Sequence, residues 1–241
     1  MMQALKLAAA GTGFCFLMTA LGAGTVFFLS AGSGGALQKI LLGFAAGVMT
    51  AASVWSLLLP ALAQAGWFPV DLGLLAGGLV LAALDRWLVH LRKGRAGQNL
   101  LLLTAITLHN IPEGMAVGLA FALAAQNGGL AAAWALALGI GIQNFPEGAA
   151  VSLPLRQEGH SRWRAFRGGM LSGAVEPLFG VAVVFVSGWA GGLMPGFLSF
   201  AAGAMFYVVV RELVPESRGS GGTWGFFAGF LIMMTLDTAL G

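Results

Sequence analysis

The chain has 241 residues, of which 58% are hydrophobic and only 9% are charged, with a formal net charge of +3. Its mean hydropathy of +0.87 excludes an ordinary soluble domain and predicts an all-α polytopic membrane protein surrounded by a lipid bilayer. The single cysteine, Cys15, excludes an internal disulfide and a thiolate metal cluster. Because basic residues are typical of the loops between membrane spans, the positive charge does not indicate a nucleic-acid partner.

Eight membrane spans are predicted within a single transmembrane domain that covers residues 1–241. Their approximate ranges are 7–30, 37–63, 69–91, 98–126, 129–155, 166–190, 193–213 and 222–240. Each range is long enough to cross the hydrocarbon core of a bilayer. The first apolar stretch follows Lys6 and is long for the apolar region of a signal peptide, so it is interpreted as a span.

The distribution of basic residues predicts how the chain lies in the membrane. Eleven of the 12 Lys and Arg residues fall in the loops after spans 1, 3, 5 and 7 or in the adjoining helix ends, and only Lys6 falls on the other side. The positive-inside rule therefore places these four loops in the cytoplasm and both termini outside.

Spans 4 and 5 carry two copies of one polar motif. Residues 109–114 read His-Asn-Ile-Pro-Glu-Gly, and residues 143–148 read Gln-Asn-Phe-Pro-Glu-Gly, 34 residues later. The turn predicted at residues 126–129, Gln-Asn-Gly-Gly, lies almost midway between them, so a helical hairpin would set both motifs at one depth. Polar and ionisable groups are costly in a bilayer, and this favours a functional role.

The spacing within each motif predicts a metal site. His109 and Glu113 are four residues apart and share a helix face, as do Gln143 and Glu147. Together they offer nitrogen and oxygen ligands without sulfur, which suits Zn²⁺ first, with Cd²⁺, Fe²⁺ or Mn²⁺ as other options. Such a site favours passage over storage, so the ion is predicted to be bound substrate, and no cofactor is expected.

Each motif also contains a proline, Pro112 or Pro146, which is expected to kink its helix one turn before the glutamate.

Other polar residues in the spans are candidates for the site or its pathway. Glu176, in the sixth span, is predicted to belong to the site. The candidates for a pathway are Met49, Ser53, Ser56, Asp85, His90, Glu212, Glu216 and Asp237. Met49 is better explained by packing. The acidic residues at the cytoplasmic mouth are equally able to pair with Arg86, Arg92 and Arg211.

The two motifs, together with Glu176-Pro177, resemble the signature of the ZIP (Zrt/Irt-like) family of divalent metal transporters, most closely its prokaryotic branch. The resemblance implies a transport site made by His109, Glu113, Gln143 and Glu147. It further implies a second site that uses Asn110, Asn144 and Glu176, with Glu113 and Glu147 bridging the two ions. It also implies an inverted pseudo-repeat of spans 1–3 and 6–8 around the 4–5 hairpin, with import into the cytoplasm by sliding of one helix bundle against another.

Two departures from the family pattern affect these implications. Many relatives have His or Asp where this chain has Gln143-Asn144, and the neutral Asn144 lowers the charge available to a second ion. Relatives often carry an acidic residue at the end of span 2, where residues 61–64 here read Ala-Leu-Ala-Gln. External capture of cations is therefore expected to use Asp71 or Asp237.

The prediction is thus a divalent-metal importer of the bacterial inner membrane, with a homodimer allowed by the glycine-rich helix faces. Two alternatives compete with it. An intramembrane metalloenzyme would need an open metal position and a general base, and this chain has no His-Glu-x-x-His pattern. A proton-coupled carrier of organic substrates would use Glu113, Glu147 and Glu176 as a relay, but would leave the duplicated ligand pairs unexplained.

Overall fold

A computed structural model describes residues 1–28, 35–92, 98–189 and 191–240, with side chains for 1–28, 35–87, 110–186 and 192–240. Within these residues the chain is helical and contains no strand. Three residues discussed above, His90, Arg92 and His109, have side chains outside the described set.

The long helices follow the predicted order and are labelled α1 to α8 along the chain. Their bounds are α1 (Met2–Ala23, extended by a 3-10 turn over Gly24–Phe27), α2 (Gly35–Ala65), α3 (Trp67–Arg92), α4 (Gln98–Asn127), α5 (Leu130–Gln157), α6 (Arg162–Gly173 and Val175–Trp189), α7 (Met194–Glu216) and α8 (Ser220–Leu240). A short 3-10 turn, Gly191–Leu193, precedes α7.

Six of these segments are long and apolar enough to cross a membrane. They are Met2–Phe27, Gly35–Ala65, Trp67–Trp87, Arg162–Val186, Met194–Glu216 and Ser220–Leu240. Helices α4 and α5 are not among the six found in the described residues, and they are the two that carry the polar motifs.

The structure places the first helix over Met2–Phe27, so it begins five residues before the approximate predicted range, 7–30, and ends three residues before the end of that range. Lys6 is exposed, and its long side chain can reach outward from within a helix instead of preceding one.

Three irregular turns occur where prolines withdraw a backbone donor. Helix α2 has a π turn over Ser53–Leu58 just before Pro60, and α7 has one over Val209–Leu213 just before Pro215. Helix α6 is interrupted at Ala174, three residues before Pro177. A proline cannot donate to the carbonyl four residues earlier, and a widened or broken turn accommodates this loss.

The helices pack as close pairs: α2 with α8, α3 with α7, α1 with α5, and α4 with α6. Helices α1, α4, α5 and α6 also contact one another, and α2, α3, α7 and α8 form a second group. The two groups meet where α5 contacts α2 and α8, and where α4 contacts α7. The two motif helices therefore lie at the boundary between the two groups.

Glycines allow the closest helix approaches beside the motifs. A Cβ atom on Gly114 would overlap the backbone of Glu176, and one on Gly118 would overlap the backbone of Gly180. Helices α4 and α6 therefore touch backbone to backbone, as small residues allow in membrane proteins. This contact brings Glu176 beside the α4 motif.

Candidate metal centre

Both motifs lie inside long helices, with Pro112 within α4 and Pro146 within α5. The predicted hairpin turn is confirmed, since α4 ends at Asn127 and α5 begins at Leu130. Gly128 and Gly129 join them with φ angles of 83° and 87°, a region that glycine adopts readily. The expected proline kinks stay a prediction.

A hydrogen bond joins the two motifs across the hairpin. Gln143 Nε2 donates to Glu113 Oε1, and both side chains are fully buried. The amide oxygen of Gln143 and the second carboxylate oxygen of Glu113 have no hydrogen-bond partner. Two of the four residues predicted for the transport site therefore meet, each with one oxygen still available.

The motif residues leave six buried oxygen atoms without a hydrogen-bond partner. They are Asn110 Oδ1, Glu113 Oε2, Gln143 Oε1, Asn144 Oδ1, Glu147 Oε1 and Glu147 Oε2. Buried polar atoms are rarely unpaired in native proteins, and a cluster of them calls for an explanation such as a bound ion. All six are acceptors, which makes them suitable ligands for a cation and unsuitable for an anion.

Glu176 has a different environment from the two motif glutamates. Its Oε1 accepts a hydrogen bond of 3.2 Å from Thr19 Oγ1, and its Oε2 accepts one of 2.8 Å from Asn144 Nδ2. Asn110 similarly donates through Nδ2 to the backbone carbonyl of Ser172, at 2.9 Å. Each asparagine is thus tied to α6 by its nitrogen and keeps its oxygen unpaired.

His109, the fourth residue predicted for the transport site, has a side chain outside the described residues. Among the side chains that are described, no group of three or more His, Cys, Asp or Glu has the arrangement of a metal site. The possible ligand atoms that are described in the candidate centre are the carboxylate and amide oxygens of the motifs.

At the hairpin end of the molecule, two of the pathway candidates are joined to each other. Ser56 Oγ donates to Asp237 Oδ1 at 2.6 Å, while Asp237 Oδ2 is buried and unpaired. Both residues line a cavity of about 260 Å³ that also includes Gly128 and Gly129 of the hairpin turn. Trp55, in the π turn of α2, forms part of the same wall.

The other candidates on α2 and α3 do not join the centre. Met49 is fully buried in the hydrophobic core, as the packing interpretation predicted. Ser53 is also buried, and its hydroxyl donates to the carbonyl of Met49 at 2.7 Å within its own helix. Asp71 is exposed.

Two of the acidic residues predicted at the cytoplasmic mouth, Asp85 and Glu212, form part of a charged cluster between α3 and α7. Asp85 Oδ2 accepts a hydrogen bond from the Tyr207 hydroxyl at 3.0 Å and lies 3.7 Å from Arg211 Nε. Pairing of Asp85 with Arg211, one of the two alternatives considered, is therefore observed. Glu212 is close enough to feel the charge of Asp85, and Glu216 is exposed.

Comparison with known proteins identifies the family. A family model described as ZIP zinc transporter matches residues 89–237, more than half of the chain. The chain belongs to the ZIP family. The family resemblance inferred from the two motifs is thereby confirmed, and with it the prediction of a divalent-metal transporter. Known family members are transporters, which agrees with the expectation that this chain is not an enzyme.

Several ZIP proteins are similar over most of the chain. The human zinc transporter ZIP11 is 37% identical, with 96% of each chain covered. The zinc transporter ZIPB of Bordetella bronchiseptica is 40% identical over 94% of this chain and 79% of its own. The zinc transporter GufA of Myxococcus xanthus is 39% identical over 71% of each. The prediction of a multi-pass membrane transporter is therefore confirmed.

Two polar residues of this ZIP protein were missed by sequence reasoning. Thr19 contacts Glu176 from α1, and Tyr207 contacts Asp85 from α7. A threonine in an apolar span is common, since its hydroxyl can bond the carbonyl four residues earlier. Tyr207 is the sole tyrosine in the sequence, and its position near the end of a span is the only signal it offered.

Proposed function

We propose that this protein carries a divalent transition-metal ion, Zn²⁺ first, through a centre between α4 and α5 and into the cytoplasm. The observation that carries the proposal is the set of six buried, unpaired acceptor oxygens on two hydrogen-bonded motif helices. The names of the relatives, which are zinc transporters, support Zn²⁺ as the substrate.

The proposed ligands are Glu113, Gln143 and Glu147, with His109 as the nitrogen donor. Carboxylate and imidazole groups bind Zn²⁺ at about 2.0–2.2 Å, and Cd²⁺, Fe²⁺ or Mn²⁺ are further candidates for this set. A site without thiolates holds its ion less tightly, and this suits a transporter that has to release it. The ion sheds its water as these ligands replace it.

Electrostatics gives a physical reason for a cation at this place. Glu113, when ionised, is repelled by Glu147 and Glu176, and all three are buried. A buried carboxylate is costly unless it is paired. A divalent cation bound between Glu113 and Glu147 would reduce this repulsion and would give the unpaired oxygens a partner.

For the membrane architecture, we propose eight spans, with α1–α3 and α6–α8 as inverted repeats around the α4–α5 hairpin. The helix pairing supports this arrangement, because exchanging the repeats converts the α2–α8 pair into α7–α3 and the α1–α5 pair into α6–α4. The matched π turns before Pro60 in α2 and Pro215 in α7 support it as well. Inverted repeats around a buried site suit alternating access by sliding of helix bundles.

We propose that the ion approaches through the cavity beside Asp237 and Ser56 and leaves past the cluster that contains Asp85 and Glu212, and then past the exposed Glu216. The basic loops between helices support external termini and a cytoplasmic location of that cluster. Asp71, which is exposed, is a second candidate for external capture. Bacterial relatives support the bacterial inner membrane as the location, while a homodimer stays a prediction.

The test is uptake of Zn²⁺ and Cd²⁺ into liposomes that contain the purified protein and an internal pH-sensitive dye. The double variant Glu113→Ala/Glu147→Ala removes the proposed carboxylate ligands, and Glu158→Gln serves as a control because Glu158 is exposed outside the motifs. Saturable uptake in the wild type and the control, lost in the double variant, is expected. Intact uptake in the double variant would contradict the site, and a change in internal pH would indicate proton coupling.

A further inference from the structure

The family pattern implies a second metal site, and therefore a centre with two ions, in which Glu176 is a ligand. The surroundings of Glu176 argue for a different role. Each of its carboxylate oxygens already accepts a hydrogen bond, one from Thr19 and one from Asn144. By contrast, neither oxygen of Glu147 has any partner. Binding a cation is more favourable at unpaired carboxylate oxygens than at oxygens that already accept hydrogen bonds.

The neighbours of Asn144 fix the direction of its amide. Its Nδ2 donates to Glu176 Oε2 at 2.8 Å and to the backbone carbonyl of Cys15 at 3.4 Å. Both neighbours are acceptors, so the NH₂ group has to face them and the amide oxygen has to face the other way. That oxygen is the buried Oδ1, which has no hydrogen-bond partner.

Thr19 completes this network from α1. Its hydroxyl lies 3.3 Å from the carbonyl of Cys15, one turn back, and 3.2 Å from Glu176 Oε1. A hydroxyl has a single hydrogen, and a carboxylate is a stronger acceptor than a carbonyl, so the hydrogen goes to Glu176. The carbonyl of Cys15 is then left to accept from Asn144.

Close helix contacts hold Thr19 in place. A Cβ atom on Gly148 would overlap the Thr19 carbonyl oxygen, and one on Gly173 would lie 2.9 Å from the Thr19 side chain. Helices α5 and α6 therefore both touch α1 at this residue. A hydroxyl fixed from two sides loses little side-chain entropy when it bonds Glu176.

We infer that Thr19 and Glu176 are positioning residues that turn the Asn144 oxygen towards the ion, and that the centre holds one ion rather than two. The inference rests on the proposed function, since it concerns the same centre. It assigns the negative charge that binds the ion to Glu113 and Glu147, and it makes Glu176 act through Asn144. Residues that orient metal ligands in this way commonly affect affinity by about 10- to 100-fold.

The test compares Cd²⁺ binding by isothermal titration calorimetry and Zn²⁺ uptake kinetics for three substitutions in α1. Thr19→Val removes the hydroxyl at nearly constant volume, and Thr19→Ser restores it. Thr12→Val is the matched control, because Thr12 is also buried in α1 and its hydroxyl bonds only the carbonyl of Ala8, at 2.7 Å. The number of ions at the centre is the number lost on changing Glu113 and Glu147 to alanine.

We expect one ion per chain to be lost in the double alanine variant. Thr19→Val is expected to weaken Cd²⁺ binding and raise KM by about tenfold, while Thr19→Ser and Thr12→Val stay within about twofold of the wild type. Loss of two ions, or unchanged binding in Thr19→Val, would overturn the inference while leaving the proposed function intact. If the double alanine variant loses no ion and keeps its uptake, the proposed function itself fails.

Glu176→Gln provides a second, independent measurement if Thr19→Val does not fold. The substitution keeps the size of the side chain and one acceptor oxygen. A positioning role predicts that the number of ions per chain is unchanged and that affinity falls. A ligand role in a two-ion centre predicts loss of one ion, which would refute the inference.

Discussion

Replacing Gly114 with alanine tests whether the close approach of α4 and α6 supports the centre. A Cβ atom at this position would lie 2.6 Å from the Cα and 2.9 Å from the carbonyl carbon of Glu176. Ordinary contacts of a Cβ begin near 3.4 Å, and the carbonyl oxygen of Glu176 would be nearer still than its Cα, so the helices would have to separate by at least about 0.8 Å, and neither side can yield by a rotamer change. The separation would move Glu176 away from the α4 motif.

The expected cost of Gly114→Ala is about 1–3 kcal/mol in the free energy of unfolding, typical of an overpacked interior. We also expect uptake to fall by about tenfold or more, because a displacement of this size disturbs ligand geometry. The assays are thermal denaturation followed by size-exclusion chromatography, and Zn²⁺ uptake into liposomes. Gly13→Ala is the matched control, since a Cβ atom added to Gly13 in α1 would meet nothing within 4 Å.

Wild-type stability and uptake in Gly114→Ala would refute the reasoning, because the backbone contact with Glu176 could then not be as close as the structure has it. A loss of equal size in Gly13→Ala would show that any added methyl group is harmful, and the helix contact would no longer explain the effect.

Three further predictions concern the pathway, protonation and the cluster between α3 and α7. Asp237→Ala should raise KM for Zn²⁺ by about tenfold with little change in maximal rate, since it removes a capturing charge; an unchanged KM would count against the proposed entrance. Zn²⁺ binding measured by calorimetry should weaken as pH falls, because His109 and the glutamate ligands bind metal only when deprotonated; binding that strengthens in acid would contradict the ligand set. Tyr207→Phe should cost about 1 kcal/mol by removing the hydrogen bond to Asp85, and equal thermal stability of variant and wild type would argue against that bond.

The features of the fold that depend on local sequence could be predicted. Hydropathy placed the long helices within a few residues, and the turn predicted at residues 126–129 agrees with the positive φ angles of Gly128 and Gly129. The π turns before Pro60 and Pro215 were not predicted, since the response of a helix to proline depends on the neighbours that satisfy its free carbonyl.

The residues of the duplicated motifs, and Glu176, were predicted as members of the site, but the contacts that other helices make with them were not. The duplicated motif predicted that Glu113 and Gln143 belong to one site, and in the structure a hydrogen bond joins them. The contact between Thr19 and Glu176 joins residues 157 positions apart, and that between Ser56 and Asp237 spans 181. Such contacts depend on helix packing through glycines, and a single sequence does not reveal which helix faces meet.

The measurement that tests the central claim most directly is the location of Cd²⁺ by anomalous diffraction from crystals of the protein soaked with the ion. The claim predicts a peak between α4 and α5 with carboxylate oxygens of both Glu113 and Glu147 at bonding distance, together with the amide oxygen of Gln143. A peak that is bonded to neither glutamate, or that persists at the same place in the Glu113→Ala/Glu147→Ala variant, would contradict it.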